Sequence, residues 1–211
     1  MKKKIDLFGE ILDIYSEDSV SELSDEILKT NANKVIIRLN DDSFTYIHDA
    51  LDVKNTISRA DMILCSNEDM GANKNNEISI YKEVFNILKG ESVILIAENP
   101  EIIDELKDFL LKNYEGINIK ATKIYNYDES FESVINFINN YVPSAVIVAL
   151  RSPIQERLIC ENKSYMNTKL CMGIGEKPEI LGYTRGRLSS LFKSKVRDVK
   201  KTILSHEIKG E

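Results

Sequence analysis

Glycine is scarce in this sequence. Nine occur among 211 residues, few for an α/β enzyme, which places glycine where backbone has to approach phosphate closely. Histidine is scarcer still. His48 and His206 are the only two, too few for a histidine-rich metal centre. The three cysteines, Cys65, Cys160 and Cys171, match no zinc spacing, and an odd number does not point to a disulfide framework. A reducing, cytosolic compartment is the simple reading. No apolar run reaches the ~18 residues of a membrane span. Met1-Lys2-Lys3-Lys4 is basic like the start of a signal peptide, but Asp6 and Glu10 break the apolar stretch that a signal peptide needs next. Lys and Arg number 28 against 34 Asp and Glu, a net charge of -6. The chain as a whole therefore lacks the basic footprint of a nucleic-acid-binding protein. Walker-type and Gly-x-Ser-x-Gly motifs are absent.

What is present is a rhythm of short apolar runs and helical periodicity. Val35-Ile36-Ile37, Met62-Ile63-Leu64, Val93-Ile94-Leu95-Ile96, Ile117 to Ile124, Ala145 to Leu150 and Leu170 to Ile174 read as strands. Between them, residues 42–59, 78–88, 100–110, 130–141 and 152–166 read as helices. Asn99 is a suitable cap and Pro100 fits the first helical turn after it. Ala145 to Leu150 has no polar alternation, so both of its faces should be covered. Repeated strand–helix units of this length predict one Rossmann-like α/β domain over residues 1–184, a mainly parallel sheet flanked by helices. Residues 185–211 read as a basic amphipathic appendage. Between Arg185 and Lys201, Arg185, Arg187, Lys193, Lys195, Arg197, Lys200 and Lys201 stand against the single acid Asp198, leaving the rest of the chain at -12. Leu188, Leu191, Phe192, Val196, Val199 and Ile203 share one helical face there. Such a helix either packs on its own acidic body or lies on a membrane surface.

In an open parallel sheet, ligands bind beyond the carboxyl ends of the strands. The residues to examine are therefore Asn40-Asp41-Asp42, Cys65 to Asp69, Glu98-Asn99, Arg151 to Gln155 and Gly173-Ile174-Gly175. Ser152-Pro153-Ile154-Gln155 has the spacing of a capping box, and the same helix start is able to face an anion such as a nucleotide diphosphate, with Arg151 adding positive charge. Gly173 and Gly175 permit close backbone approach. Asp69 is a candidate general base, although an aspartate in Asn67-Glu68-Asp69 is more often a solvated loop charge. Cys65 lacks a histidine placed to activate it, and His48 sits among Phe44, Ile47 and Leu51 as a structural histidine does.

The run Ala149-Leu150-Arg151-Ser152-Pro153-Ile154-Gln155-Glu156-Arg157, succeeded by Gly173-Ile174-Gly175, resembles the WecG/TagA/CpsF family of glycosyltransferases, which reads Leu-Gly-x-Pro-x-Gln-Glu and then Gly-Val-Gly. Ile36-Ile37-Arg38-Leu39-Asn40 is similar to its Thr-x-Asn strand end, and Ala60 to Leu64 to the strand before its catalytic loop. The likeness extends over residues 10–182. It implies transfer of an N-acetylmannosamine-type sugar from a UDP-sugar to a lipid-linked acceptor, without a required metal or other cofactor. It also implies a basic C-terminal appendage at an anionic membrane surface, here Arg185, Arg187, Lys193, Lys195 and Arg197, and so a cytoplasmic protein peripheral to the inner face of the membrane. No nucleic acid is implied as a partner, and a homo-oligomer is compatible.

Carried onto this sequence, Asp69 is the base, and Asn40, Ser66, Arg151, Ser152, Gln155, Glu156, Gly173 and Gly175 line the substrate site. Ungapped counting from Asp61 puts Ser66 where the family has its aspartate, and a shifted alignment brings in Asp69. Arg38 replaces a threonine, Arg151 replaces a glycine, and the Gly-Gly pair before Pro100 is missing. These departures define the alternative, a catalytically degenerate relative that acts as a binding or accessory subunit.

Overall fold

The computed structural model describes residues 3–7, 10–14, 33–39, 43, 46, 55–65 and 74–176. The chain divides into two compact units, Met1–Pro178 and Glu179–Glu211, and every described residue belongs to the first. Among the described residues, eight strands form one sheet: β1 (Lys3–Leu7), β2 (Glu10–Ile14), β3 (Lys34–Leu39), β4 (Met62–Cys65), β5 (Ser92–Ala97), β6 (Asn118–Ile124), β7 (Ala145–Ala149) and β8 (Leu170–Gly173). Their order is β1-β2-β4-β3-β8-β7-β5-β6. β1 runs antiparallel to β2, with Ile5 opposite Leu12, and all other neighbours are parallel. The expected parallel α/β architecture is therefore present. The β1–β2 hairpin is an addition that the sequence reading does not contain.

The helices described are α1 (Lys74–Ile87), α2 (Pro100–Asn113), α3 (Phe131–Tyr141) and the single turn α4 (Ile154–Glu156). α2 starts as its sequence dictates. The Asn99 side chain accepts from the Ile102 amide at 2.9 Å, and Pro100 needs no amide partner in the first turn. Its apolar stripe buries Ile103, Leu106 and Leu110. Phe85 of α1 meets Phe109 of α2 and Tyr114 just beyond it, with centroids 6.0 and 5.4 Å away, so α1 and α2 share one face of the sheet. α3, capped by Ser130, buries Val134, Ile135 and Ile138 in a core with Val35, Ile37, Ile94, Ile96, Val146, Val148 and Leu150. Side chains alternate across a strand, so this core is the other face.

One helix expectation changes. Residues 152–166 do not form one α-helix. After α4 the backbone widens into a π-turn over Arg157–Glu161 and tightens into a 3₁₀ turn over Lys163–Tyr165. Asn162 explains the break: its side-chain amide donates to the carbonyls of Arg157 and Leu158, at 3.2 and 3.1 Å, and so takes acceptors that a continuing helix would use. Of the helix expected over 42–59, residues 43, 46 and 55–57 are helical, with a turn at 58–59, and the rest lies outside the described residues.

β7 lies between β5 and β8 and all five of its residues are buried. β6, at the edge, alternates between exposed and half-buried. Ile147→Ala should therefore cost about 2–5 kcal/mol in urea unfolding, while Ile124→Ala, half-exposed on the edge, should stay within about 0.5 kcal/mol of the parent.

Candidate functional site

β5 leads into α2 on one face of the sheet, whereas β7 leads into α4 and the π-turn, whose Leu158 and Ile159 lie in the core on the other. The chain leaves these neighbouring strands in opposite directions, which opens a crevice at their carboxyl ends. Glu98, Arg151 and the residues just after each of them converge there.

The Arg151 backbone amide donates to Glu98 Oε1 at 2.6 Å. Its guanidinium forks onto the same carboxylate, Nε at 3.2 and 3.3 Å and Nη2 at 3.0 Å. The guanidinium carbon stands 4.7 Å from the Tyr127 ring centroid. Burial alone would raise the Glu98 carboxyl, but hydrogen bonds from Arg151 and Tyr127 outweigh it and hold the carboxyl below its usual range. The positive charge anticipated at Arg151 is thus already neutralised within the chain.

Immediately inward, Ser152, Gln155 and Glu156 are buried. The capping box expected over Ser152–Gln155 is not formed. Pro153 occupies the cap position and no side chain caps α4. Ser152 instead turns its hydroxyl to Glu156 Oε1 at 2.6 Å, with Ser43 Oγ 3.0 Å from Ser152 Oγ and 3.3 Å from Glu156 Oε1. The Gln155 amide is taken by the Arg151 carbonyl at 3.2 Å. A single three-residue turn with its Gln155 amide so engaged is no helix-start cradle for a phosphate.

Gln155 crosses to β8 instead. Its Oε1 accepts from the Gly175 amide at 2.8 Å, and its side chain lies directly over Gly173. A β-carbon at Gly173 would meet Gln155 Cδ at 2.7 Å, closer than such atoms approach. Gly175 has φ +81°, which favours glycine. The structure thus brings together Ser152 with Glu156 and Ser43, and Gln155 with Gly173 and Gly175. Arg151 stands at the surface. Asn40, Ser66, Asp69 and His48 lie outside the described residues, as do Arg185, Arg187, Lys193, Lys195 and Arg197.

Ser43 and Tyr127 are partners absent from the sequence analysis, which names Glu98 only as a strand-end residue and gives it no role. Glu98 carried a signal, being the first residue after a buried strand. Ser43 and Tyr127 carried none beyond being polar near strand ends.

A pocket of about 430 Å³ sits at the opposite edge of the sheet, lined by Asn33, Lys34, Arg59, Asp61, Glu161 and Lys163 among others. It lies at the amino ends of β3 and β4, away from the crevice. Asp61 holds it together by accepting from the Val35 amide at 2.8 Å and pairing with Lys163 and, at 3.6 Å, Lys34. Cys160 and Cys171 are buried, and burial pushes the Cys171 thiol up to about 12, so neither is poised as a nucleophile. Among the described residues, no group of three or more His, Cys, Asp and Glu side chains is placed to hold a metal, and no helix is long and apolar enough to cross a membrane.

The buried layer can be tested at two positions. Burial raises the Glu156 carboxyl above its ordinary 4.5, against the hydrogen bonds from Ser152 and Ser43. The folded state therefore keeps a proton that the unfolded chain releases. This contribution to stability is complete below about 4.5 and is lost as pH rises through the folded value. Glu156→Gln should flatten that decline, read as melting temperature against pH, with neutral pH the point of greatest relative gain. Gly173→Ala should cost about 1–3 kcal/mol because Gln155 has to move. Gln155→Ala in the same chain should recover part of it, giving a double-mutant coupling above about 0.5 kcal/mol in urea unfolding.

The model of the glycosyl transferase WecG/TagA/CpsF family matches residues 72–193, more than half of the chain. The matched span contains α1 through β8, and with them Glu98, Arg151, Ser152, Gln155, Glu156, Gly173 and Gly175. It begins after Asn40, Ser66 and Asp69. No curated protein matches the chain. By the extent of the family match and by its parallel α/β sheet, the chain belongs to the WecG/TagA/CpsF family of glycosyltransferases.

Proposed function

We propose that the protein transfers a sugar of the N-acetylmannosamine type from a UDP-sugar to a lipid-linked acceptor during cell-surface polysaccharide synthesis. The observation that carries this reading is the position of the Pro153-Ile154-Gln155-Glu156 segment. It lies within the family match and beside the crevice at the carboxyl ends of β5 and β7. The buried pair Gln155 and Glu156 shapes the floor of the site, Gln155 by holding the Gly173–Gly175 turn and Glu156 by tying Ser152 to Ser43. Asp69 takes the proton of the acceptor hydroxyl as the sugar–phosphate bond breaks, UDP leaves, and Asn40 and Ser66 orient the sugar. No step calls for a metal or an organic cofactor.

The acceptor's reactive end stays at the bilayer surface. Arg185, Arg187, Lys193, Lys195 and Arg197 bring the enzyme there, each worth about 1 kcal/mol beside anionic lipid. The protein then works at the inner face of the cell membrane. A second reading, an accessory subunit without catalysis, is favoured by one observation: Arg151 already holds a carboxylate of its own chain.

UDP release from UDP-N-acetylmannosamine, in the presence of a lipid-diphosphate acceptor in anionic vesicles, tests the reading. Asp69→Asn should lower the rate by about 10²-fold or more while leaving UDP affinity within a few-fold. An unchanged rate removes Asp69 as the base. UDP binding without turnover under any of these conditions selects the accessory reading.

A further inference from the structure

Glu98 occupies its neighbours in an unusual way. It is the first residue after β5, and its side chain is 9% exposed, whereas the Arg151 side chain facing it is 53% exposed. Both carboxylate oxygens are engaged from one direction. Oε1 accepts from the Arg151 amide and Nε, and Oε2 from Nη2 and Nε. Tyr127 lies under the guanidinium and meets Tyr125 edge to face at 5.4 Å, and Tyr125 is buried, so the aromatic platform is anchored. A backbone amide and a planar fork converging on two oxygens make a set of donors suited to a phosphate as well as to a carboxylate. The set stands where the loops after β5 and β7 part, the position at which open parallel sheets take their ligands. α2 begins two residues after Glu98, and its positive end adds to the same potential.

We propose that the Arg151 amide and guanidinium, the latter held against the Tyr127 ring, form an anion site for a diphosphate, and that Glu98 is its internal occupant. A diphosphate enters from the exposed side of the guanidinium, and the Glu98 carboxylate swings away as it does so. The exchange breaks and makes only hydrogen bonds and ion pairs. While Glu98 is in place the pair is neutral and like charge repels an incoming phosphate, so Glu98 sets a threshold for occupancy. The identity of the ligand as the diphosphate of a UDP-sugar rests on the function proposed above, whereas the anion site itself does not. The rival account is a fixed strut, in which Glu98 and Arg151 only tie the two loops together.

Titration calorimetry on the full chain separates the two, with inorganic pyrophosphate, UDP and uridine as probes. Glu98→Gln keeps the shape and removes the charge. It should tighten pyrophosphate and UDP alike by about tenfold or more, because a like charge has been removed, and leave uridine unchanged. Adding Arg151→Gln to Glu98→Gln should abolish the gain. Glu98→Ala repeats the test should the amide variant melt before titration. A variant that folds and binds pyrophosphate no better than the parent, or a gain that survives loss of Arg151, overturns the proposal in favour of the strut. Pyrophosphate tightening with no sugar transfer by any variant keeps the anion site and removes the transferase reading. UDP binding in the parent that is indifferent to both Glu98 and Arg151 removes the anion site and leaves the transferase reading standing.

Discussion

β7 has to satisfy two hydrophobic layers at once. Its five residues alternate between the core shared with α3 and the layer that faces α1 and α2, and none of the five reaches solvent. Past the end of this enclosed strand the chain leaves the sheet over Leu150 to Ser152. That stretch carries Arg151 to the surface and Ser152 into the interior. Because β5 and β8 flank β7 in register, Ala97 beside Ala149 and Gly173 beside Val148, Glu98 and the Gly173–Gly175 turn arrive at the same level. The geometry of the site is thus a consequence of how the centre of the sheet is packed.

Buried polar groups then decide how the loops are held. Glu156 has no exposed surface, and one of its oxygens finds no hydrogen-bond partner. A buried carboxyl in that condition is costly when ionised, and burial shifts it toward the neutral form. Two hydroxyls, from Ser152 and from Ser43, stand against its other oxygen and join the segment after β7 to the one after β3. Gln155 spends its amide oxygen on Gly175 and its bulk on Gly173. The Pro-x-Gln-Glu run therefore works mainly as internal scaffolding in this chain, with its polar atoms turned toward neighbouring loops.

Much of the sheet was legible in the sequence because buried parallel strands are largely apolar runs, as in β5 and β7 and in Val35-Ile36-Ile37 of β3. Asn99-Pro100 marked the start of α2 because its cap chemistry is local. The segment after Pro153 misled for the same reason that it looked informative. Its spacing satisfies a capping box, but the local pattern carries no record of Glu156, whose burial draws the Ser152 hydroxyl away. Asn162 ends the helix through side-chain bonds that periodicity does not register. The β1–β2 hairpin is composed of short, mixed runs such as Ile5-Asp6-Leu7, too weak to stand out alone. At the site, residue types at strand ends were readable, whereas partnerships across the sheet were not. Glu98 and Arg151 are 53 positions apart, and only the order of the strands brings them together.

Two edges of this sheet carry charged groups, and ligand binding is proposed at the carboxyl edge between β5 and β7. The pocket at the amino ends of β3 and β4 is the competing location. Amide hydrogen exchange on the full chain, with and without saturating UDP, distinguishes them directly. Binding at the carboxyl edge predicts added protection in residues 97–100, 125–127 and 149–156, and in the turn 173–175, with Asn33 to Lys34 and Asp61 to Met62 unchanged. Protection confined to those latter segments and to Glu161–Ser164 would contradict it.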